Sequence, residues 1–255
     1  MRILSFLQEK IDGNLDTPET TIQHREIILR KKFLKRIYIT WYCELLKIIS
    51  SLPEGKIVEI GSGGGFLKEL DGRILTSDIM PFKHCDMTFS AEAMPFEDSS
   101  VSAIFMIDVL HHIPNSQSFF FEAQRTLKPG GKIVMIEPAN TIFSRFIFTK
   151  FHHENFNPKS VEWAFPTTGP LSSANVALPW IIFSRDYEKF EQLYPTLKRK
   201  KMILHTPFAY LVSGGLTFKS LLPGWMYMPF RLFELVLSPF YKYIGMFQTI
   251  IVEKE

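Results

Sequence analysis

Two short runs hold residues that could move a proton: His111-His112 and His152-His153-Glu154. An imidazole titrates near neutrality and a carboxylate can orient it, so such a group can take a proton from a hydroxyl acceptor. His152, His153, Glu154 and His111 are the candidate catalytic residues, with His112 beside them. The ordinary reading of any one of them is a surface pair or a packed core histidine. No metal is expected, because neither run fits H-E-x-x-H or a cysteine/histidine spacing. Glu137, at the end of an apolar run, is either structural or an acceptor contact.

A second group looks like a ligand cradle. The apolar run Ile57-Val58-Glu59-Ile60 ends in Gly61-Ser62-Gly63-Gly64-Gly65. Glycines let the backbone take positive φ and let a ligand come close. A strand, a glycine turn and a helix start form a nucleotide-type site at the carboxyl edge of a parallel sheet. Asp78 ends the next strand, about 20 residues on, where a carboxylate can accept ribose hydroxyl protons. A dinucleotide fingerprint starting at Gly61 would need glycine where Phe66 stands, and the phosphate loop G-x-x-x-x-G-K-[ST] is absent.

These residues need strands that end side by side. Strands are predicted over 56–60, 73–77, 103–107 and 132–137, with helices over about 65–70 and 119–127 between them. That alternation means βαβ units and a parallel sheet with helices on both faces. Upstream, residues 23–50 have the apolar spacing of a cap helix, and 1–22 are expected to be loose. Downstream, a helix over 184–193 leads to a strand over 200–204, and 246–252 reads as a terminal strand.

The acid before G-x-G-x-G resembles motif I of the class I S-adenosylmethionine (SAM)-dependent methyltransferases, of the broad small-molecule, type 11-like kind. Ala91-Glu92-Ala93-Met94-Pro95-Phe96, Val109-Leu110-His111-His112-Ile113 and Lys128-Pro129-Gly130-Gly131 are similar to the same family. Ser90 departs from it, standing where an acid would meet the adenine amine. The resemblance implies an α/β, Rossmann-like fold with a seven-stranded, mostly parallel sheet and an antiparallel last strand. It implies SAM as cofactor, held by Glu59, Gly61, Ser62, Gly63, Gly65, Asp78, Ile79, Ala91, Glu92 and Asp108. His-His-Glu-x-Phe and the apolar second half are also similar to bacterial methyltransferases encoded among surface-polysaccharide enzymes.

The chain is read as one methyltransferase domain over 1–255. It divides into a cap helix (23–50), a SAM-binding half (56–137), apolar insertions (139–183 and 206–245) and a last strand (246–253). Methyl transfer from a sulfonium needs mainly orientation of the two reactants, with a base where the acceptor is a hydroxyl. The expected acceptor is the O or N atom of a small molecule, sugar or lipid-linked sugar. A SAM-fold protein without activity, binding a partner or membrane, is the alternative.

Composition bounds the partners. The chain has 255 residues, a net charge of +3 and 24 Phe, so it can bury a large core and has no strong pull toward nucleic acid. No continuous basic and aromatic stripe suits a single strand either. The two cysteines fit a reducing compartment, and the basic, polar start does not read as a signal peptide, so a cytoplasmic location is expected. Residues 206–245 are far longer than a strand connection requires. They pack the core, form a homodimer face, or meet a lipid-linked substrate or the inner face of a membrane.

Overall fold

A computed structural model describes residues 7–152 and 154–255; His153 lies outside the described residues. Seven strands form one sheet: β1 (Lys56–Ile60), β2 (Ile74–Asp78), β3 (Met87–Thr88), β4 (Val101–Ile107), β5 (Leu127–Pro138), β6 (Leu197–His205) and β7 (Phe247–Lys254). Their order is β3-β2-β1-β4-β5-β7-β6. All neighbouring pairs are parallel except those made by β7, which runs antiparallel to both β5 and β6. The fold is the expected Rossmann-like one. β1 and β4 lie at the sheet's centre, so the turns that follow them emerge side by side at its carboxyl edge.

Period-2 alternation assigns each strand residue to a face. Val58, Ile60, Ile104, Met106, Ile133 and Met135 pack against Phe119 and Phe120 of α4 (Ser116–Thr126) and Phe190 of α7 (Tyr187–Leu193). Ile57, Ala103, Phe105, Val134 and Ile136 pack on the other face with Leu34, Trp41 and Leu45. Those three lie on α2 (Lys32–Leu46), which follows α1 (Pro18–Arg30). Fully burying one such side chain stabilises by about 1.5–3 kcal/mol, so both cores hold the sheet edge firmly in place.

Several boundaries differ from the sequence expectation. The cap is two helices, and it begins earlier, because Thr17 caps the first turn and Pro18 presets the first helical φ. The break falls at Lys31, whose buried ammonium donates to the carbonyls of Gly215 (2.6 Å) and Phe218 (2.5 Å). The helix after the glycine turn is only one turn long, α3 (Leu67–Leu70). The helix expected from residue 184 begins at Tyr187, after a helical turn α6 (Leu178–Trp180) and a π-type turn (Ile181–Arg185). β3 was not expected at all; two residues carry no readable alternation.

The insertions are mostly helical. Residues 139–183 open with α5 (Ile142–Lys150), started by a capping box between Thr141 and Ser144. Residues 206–245 hold α8 (Ala209–Ser213), α9 (Tyr227–Val236) and α10 (Tyr241–Ile244).

Candidate active site

The glycine turn is shaped by its neighbours. Gly61 and Gly63 have φ of +65° and +46°, a region that favours glycine. A Cβ on Gly61 would stand 2.6 Å from Val109 Cγ2, and one on Gly65 would stand 2.7 Å from the Ser62 carbonyl oxygen. The Ser62 N–H donates to the Ser77 carbonyl (2.9 Å), and Ser77 Oγ–H donates to the Glu59 carbonyl (2.8 Å), so β2 clamps the turn. Asp78 accepts from the Gly63 N–H and the Met80 N–H, both at 3.0 Å. These bonds aim its carboxylate at the turn and leave lone pairs free for hydroxyls. Burial raises the Asp78 carboxyl above its ordinary range, although those N–H donors oppose the rise.

Glu59 lies beneath the turn. It is 4 % exposed, and its Oε2 has no hydrogen-bond partner among the described residues. Burial pushes its pKa up to about 8. Ile79, beside Asp78, is 52 % exposed at the edge of this cradle. Ala91 packs into the core, while Glu92 accepts from the Asn115 N–H (2.7 Å). That bond ties Glu92 to the start of α4, and its side chain lines a groove with Gln117, Phe121 and Tyr194. The structure therefore gathers Glu59, Gly61, Ser62, Gly63, Gly65 and Asp78 around one turn and engages Glu92 elsewhere.

The second group comes together from three segments. Asp108 follows β4 with φ +58°, a left-handed conformation that aspartate tolerates. The turn after it brings His111 onto Glu137 at the end of β5, with His111 Nδ1 2.7 Å from Glu137 Oε2. Glu137 Oε1 also accepts the N–H groups of Val109 (2.9 Å) and Leu110 (2.7 Å). On the other side of the imidazole, Nε2 lies 3.5 Å from Glu154 Oε2. His112 Nε2 lies 3.6 Å from Glu154 Oε1, and His152 Nδ1 lies 3.8 Å from Glu154 Oε2. His111 and the distant His152 and Glu154 thus share one cluster with His112 and Glu137.

Its charges follow from burial and pairing. Burial alone would lower His111, but Glu137 and Glu154 on either side raise it well above the ordinary histidine value. Burial and the His111 charge bring His112 down to about 4. Glu154 falls well below the carboxylate range, because His111, His112 and His152 outweigh its burial. Asp108 goes up to about 7, mainly through burial, with His111 opposing and Glu137 and Glu154 adding to the rise.

Aromatic rings enclose the cluster. Phe148 sets its ring edge-on to His152 with centroids 5.5 Å apart and stacks on Phe156 at 5.9 Å. Tyr38 and Tyr210 are buried and close enough to Asp108 for its charge to add to the rise that burial causes in both phenols. The 139–183 insertion wraps over the sheet edge: the Asn175 N–H donates to the His111 carbonyl at 2.9 Å, and the Ser173 carbonyl accepts from His112 Nδ1 at 3.1 Å.

From the sequence, His112 stands only beside His111 as a candidate, Glu137 is left between a structural and an acceptor role, and Tyr38 reads as part of the apolar face of the cap. Glu137 carried a usable signal, an acid at the end of a buried strand. Tyr38 carried none, since a cap-helix tyrosine has no mark of the site below it.

Comparison with known proteins agrees with this geometry. A family model described as "Methyltransferase domain" matches residues 58–135. The chain is a SAM-dependent methyltransferase with SAM as its cofactor. It is similar to a demethylmenaquinone methyltransferase of Symbiobacterium thermophilum, at 25 % identity over 203 residues, covering 75 % of this chain and 78 % of that protein. Demethylmenaquinone methyltransferase of Tropheryma whipplei is 26 % identical over 113 residues, covering 38 % of this chain and 47 % of that protein. Among solved structures, geranyl diphosphate C-methyltransferase from Streptomyces coelicolor A3(2) shares the fold, with a TM-score of 0.51 at 16 % identity over 98 % of this chain and 91 % of that one.

The cradle fits the cofactor on its own chemistry. SAM carries a sulfonium, an ammonium and a ribose diol. A buried carboxylate oxygen with no partner among the described residues, and positive-φ glycines with no side chain to block a close approach, are features that such a ligand requires.

Proposed function

We propose that this enzyme methylates an oxygen or nitrogen atom of a small acceptor with an apolar part, such as a lipid-linked saccharide or a prenylated ring. Bound SAM supplies a methyl group already activated by the positive sulfur. Asp78 would hold the ribose hydroxyls, Gly61, Ser62, Gly63 and Gly65 would border the methionine portion, and Glu59 would face its cationic end. Ile79 would cover one face of the adenine, and Asp108 would border both reactants. Glu154, held ionised by the histidines around it, would take the acceptor's proton, and His111, held protonated between Glu154 and Glu137, would orient it.

The observation that carries this reading is the Glu137–His111–Glu154 arrangement at the same sheet edge as the glycine turn. The relative named demethylmenaquinone methyltransferase supports an acceptor with an isoprenoid part. The test offers labelled SAM with free saccharides, lipid-linked saccharides and prenylated hydroquinones, read by mass spectrometry. Label in an amphipathic class is expected; label confined to free saccharides, or none, overturns the proposed acceptor.

A second reading concerns where that acceptor is met, and α9 favours it. Glu234 is fully buried, accepts the N–H groups of Phe208 (2.8 Å) and Ala209 (2.7 Å), and pairs with Arg231 at 2.7 Å. The charges of this helix are thus spent inward, while Leu232, Phe233, Leu235 and Val236 are 51–77 % exposed, as are Trp225 and Phe240 nearby. Such a face suits the surface of a membrane. No described helix is long and apolar enough to cross one.

A further inference from the structure

The His111, His112 and Glu154 cluster also has the construction of a cation site. Adjacent histidines on one turn place their rings 4.3 Å apart. The carbonyl of Ser173 can only accept, so His112 Nδ1 carries the hydrogen there and Nε2 presents a lone pair. Glu137 likewise engages His111 Nδ1, which leaves Nε2 toward Glu154. Metal-bound histidines are oriented in this way, with the far nitrogen donating to a carboxylate or a backbone carbonyl.

The spacing agrees. The imidazole Nε2 atoms stand 3.5 Å and 3.6 Å from the two Glu154 oxygens. Those gaps exceed the roughly 2.7–2.9 Å of a charge-assisted hydrogen bond. Ligands bound at about 2.0–2.1 Å around a tetrahedral ion lie about 3.4 Å from one another. One nitrogen from each histidine and one Glu154 oxygen all lie within 4.8 Å of one another. The side chains of His112 and Glu154 each keep 15 % exposure, an entry path for an ion.

Asp108, His111 and Glu137 are equally close together. That set serves a different purpose, because both Glu137 oxygens are already engaged by Val109, Leu110 and His111.

We propose that His111 Nε2, His112 Nε2 and Glu154 bind one divalent first-row transition ion, zinc or a close relative, with Glu137 and the Ser173 carbonyl orienting the two imidazoles. Two histidines and one carboxylate are a known three-ligand set for a zinc ion that keeps a position for substrate or water. With an ion bound, His111 and Glu154 would act as ligands in place of the proton-taking role proposed above: an acceptor hydroxyl in the open position would bind through its oxygen, the O–H bond would break with the electron pair left on oxygen, and the proton would pass to water. The spacing of the ligands along the chain hides such a site, since they come from the turn after β4 and from a distant insertion.

The test strips the tag-free, full-length protein with chelator and titrates Co²⁺ in the absence of acceptor, followed by visible absorbance, with Zn²⁺ competition and elemental analysis. One equivalent is expected, with the intense bands of low-coordinate cobalt, displaced by Zn²⁺. His112→Gln and Glu154→Gln should each weaken binding by at least 100-fold. Glu137→Gln should weaken it by about 10–100-fold with the stoichiometry unchanged. Unchanged thermal unfolding of the chelated variants shows that they are folded. No stoichiometric binding to the wild type, or binding kept by both His112→Gln and Glu154→Gln, overturns the site. Because no methyl transfer is measured, a negative result leaves the functional reading standing.

Discussion

The two ends of the proposed active site are built differently. The cofactor cradle is assembled from a glycine turn and the strand beside it, within residues 59–80, and its geometry is held mostly by backbone donors and acceptors. The acceptor end is assembled from side chains on the turn after β4, the end of β5 and an insertion. The cradle depends on its glycines and on Asp78. A side-chain cluster depends on every member.

Substitutions at each end separate the two. The largest effect is expected at the acceptor end: Glu154→Gln should lower kcat by about 100–10,000-fold, the range for losing proton transfer, with SAM affinity within a few-fold of wild type. A parallel loss of SAM binding, measured by calorimetry, would merge the two ends into one. Asp78→Ala should weaken SAM binding by about 100-fold or more, since two charge-assisted hydroxyl contacts at about 1.5–3 kcal/mol each are lost. Retained affinity would move the ribose away from Asp78.

The apolar face of α9 comes next. Replacing Trp225 and Leu232 together by Ser should weaken binding to anionic vesicles by roughly tenfold or more, because each side chain is worth up to about 1.5–3 kcal/mol when buried. A wild type that stays in the soluble fraction of a flotation assay would refute the membrane reading, and self-association lost with the substitutions would assign the face to a second copy. The smallest effect is a pH slope. The folded state keeps a proton on Glu59 up to about pH 8, whereas the unfolded chain releases it near 4.5. Stability should therefore fall as pH rises through that window, and the Glu59→Gln variant should lack this part of the slope. SAM, which favours the ionised carboxylate, should bind more tightly toward the upper end of the window.

The same contrast explains what could be read from the chain. β1 was legible to the residue because an apolar run meets a glycine turn, two strong local signals in sequence. Asp78 was legible because its distance from that turn is set by one βαβ unit. His111 and Glu154 could be suspected as chemistry, but their meeting was not readable, since it depends on how residues 139–183 fold over the sheet edge. Glu137 was undervalued because a carboxylate at a strand end reveals its role only through its partners, here two backbone N–H groups and an imidazole. In α9, Arg231 and Glu234 interrupt the apolar run in sequence, but in the fold they pair with each other and leave the outward face apolar.

Gly61 has one more consequence. Val109 occupies the space where a side chain at Gly61 would begin, with Val109 Cγ2 only 2.6 Å from that Cβ position. The two ends of the proposed active site therefore touch at Gly61 and Val109. Gly61 works as a spacer, fixing how far the cofactor bed stands from the turn that carries His111. A Gly61→Ala variant would separate the donor and acceptor beds by a fraction of an ångström to an ångström. An error of about 1 Å in such an alignment can cost roughly 100-fold in rate, so the damage should fall on kcat and leave KM for the acceptor nearly as it was.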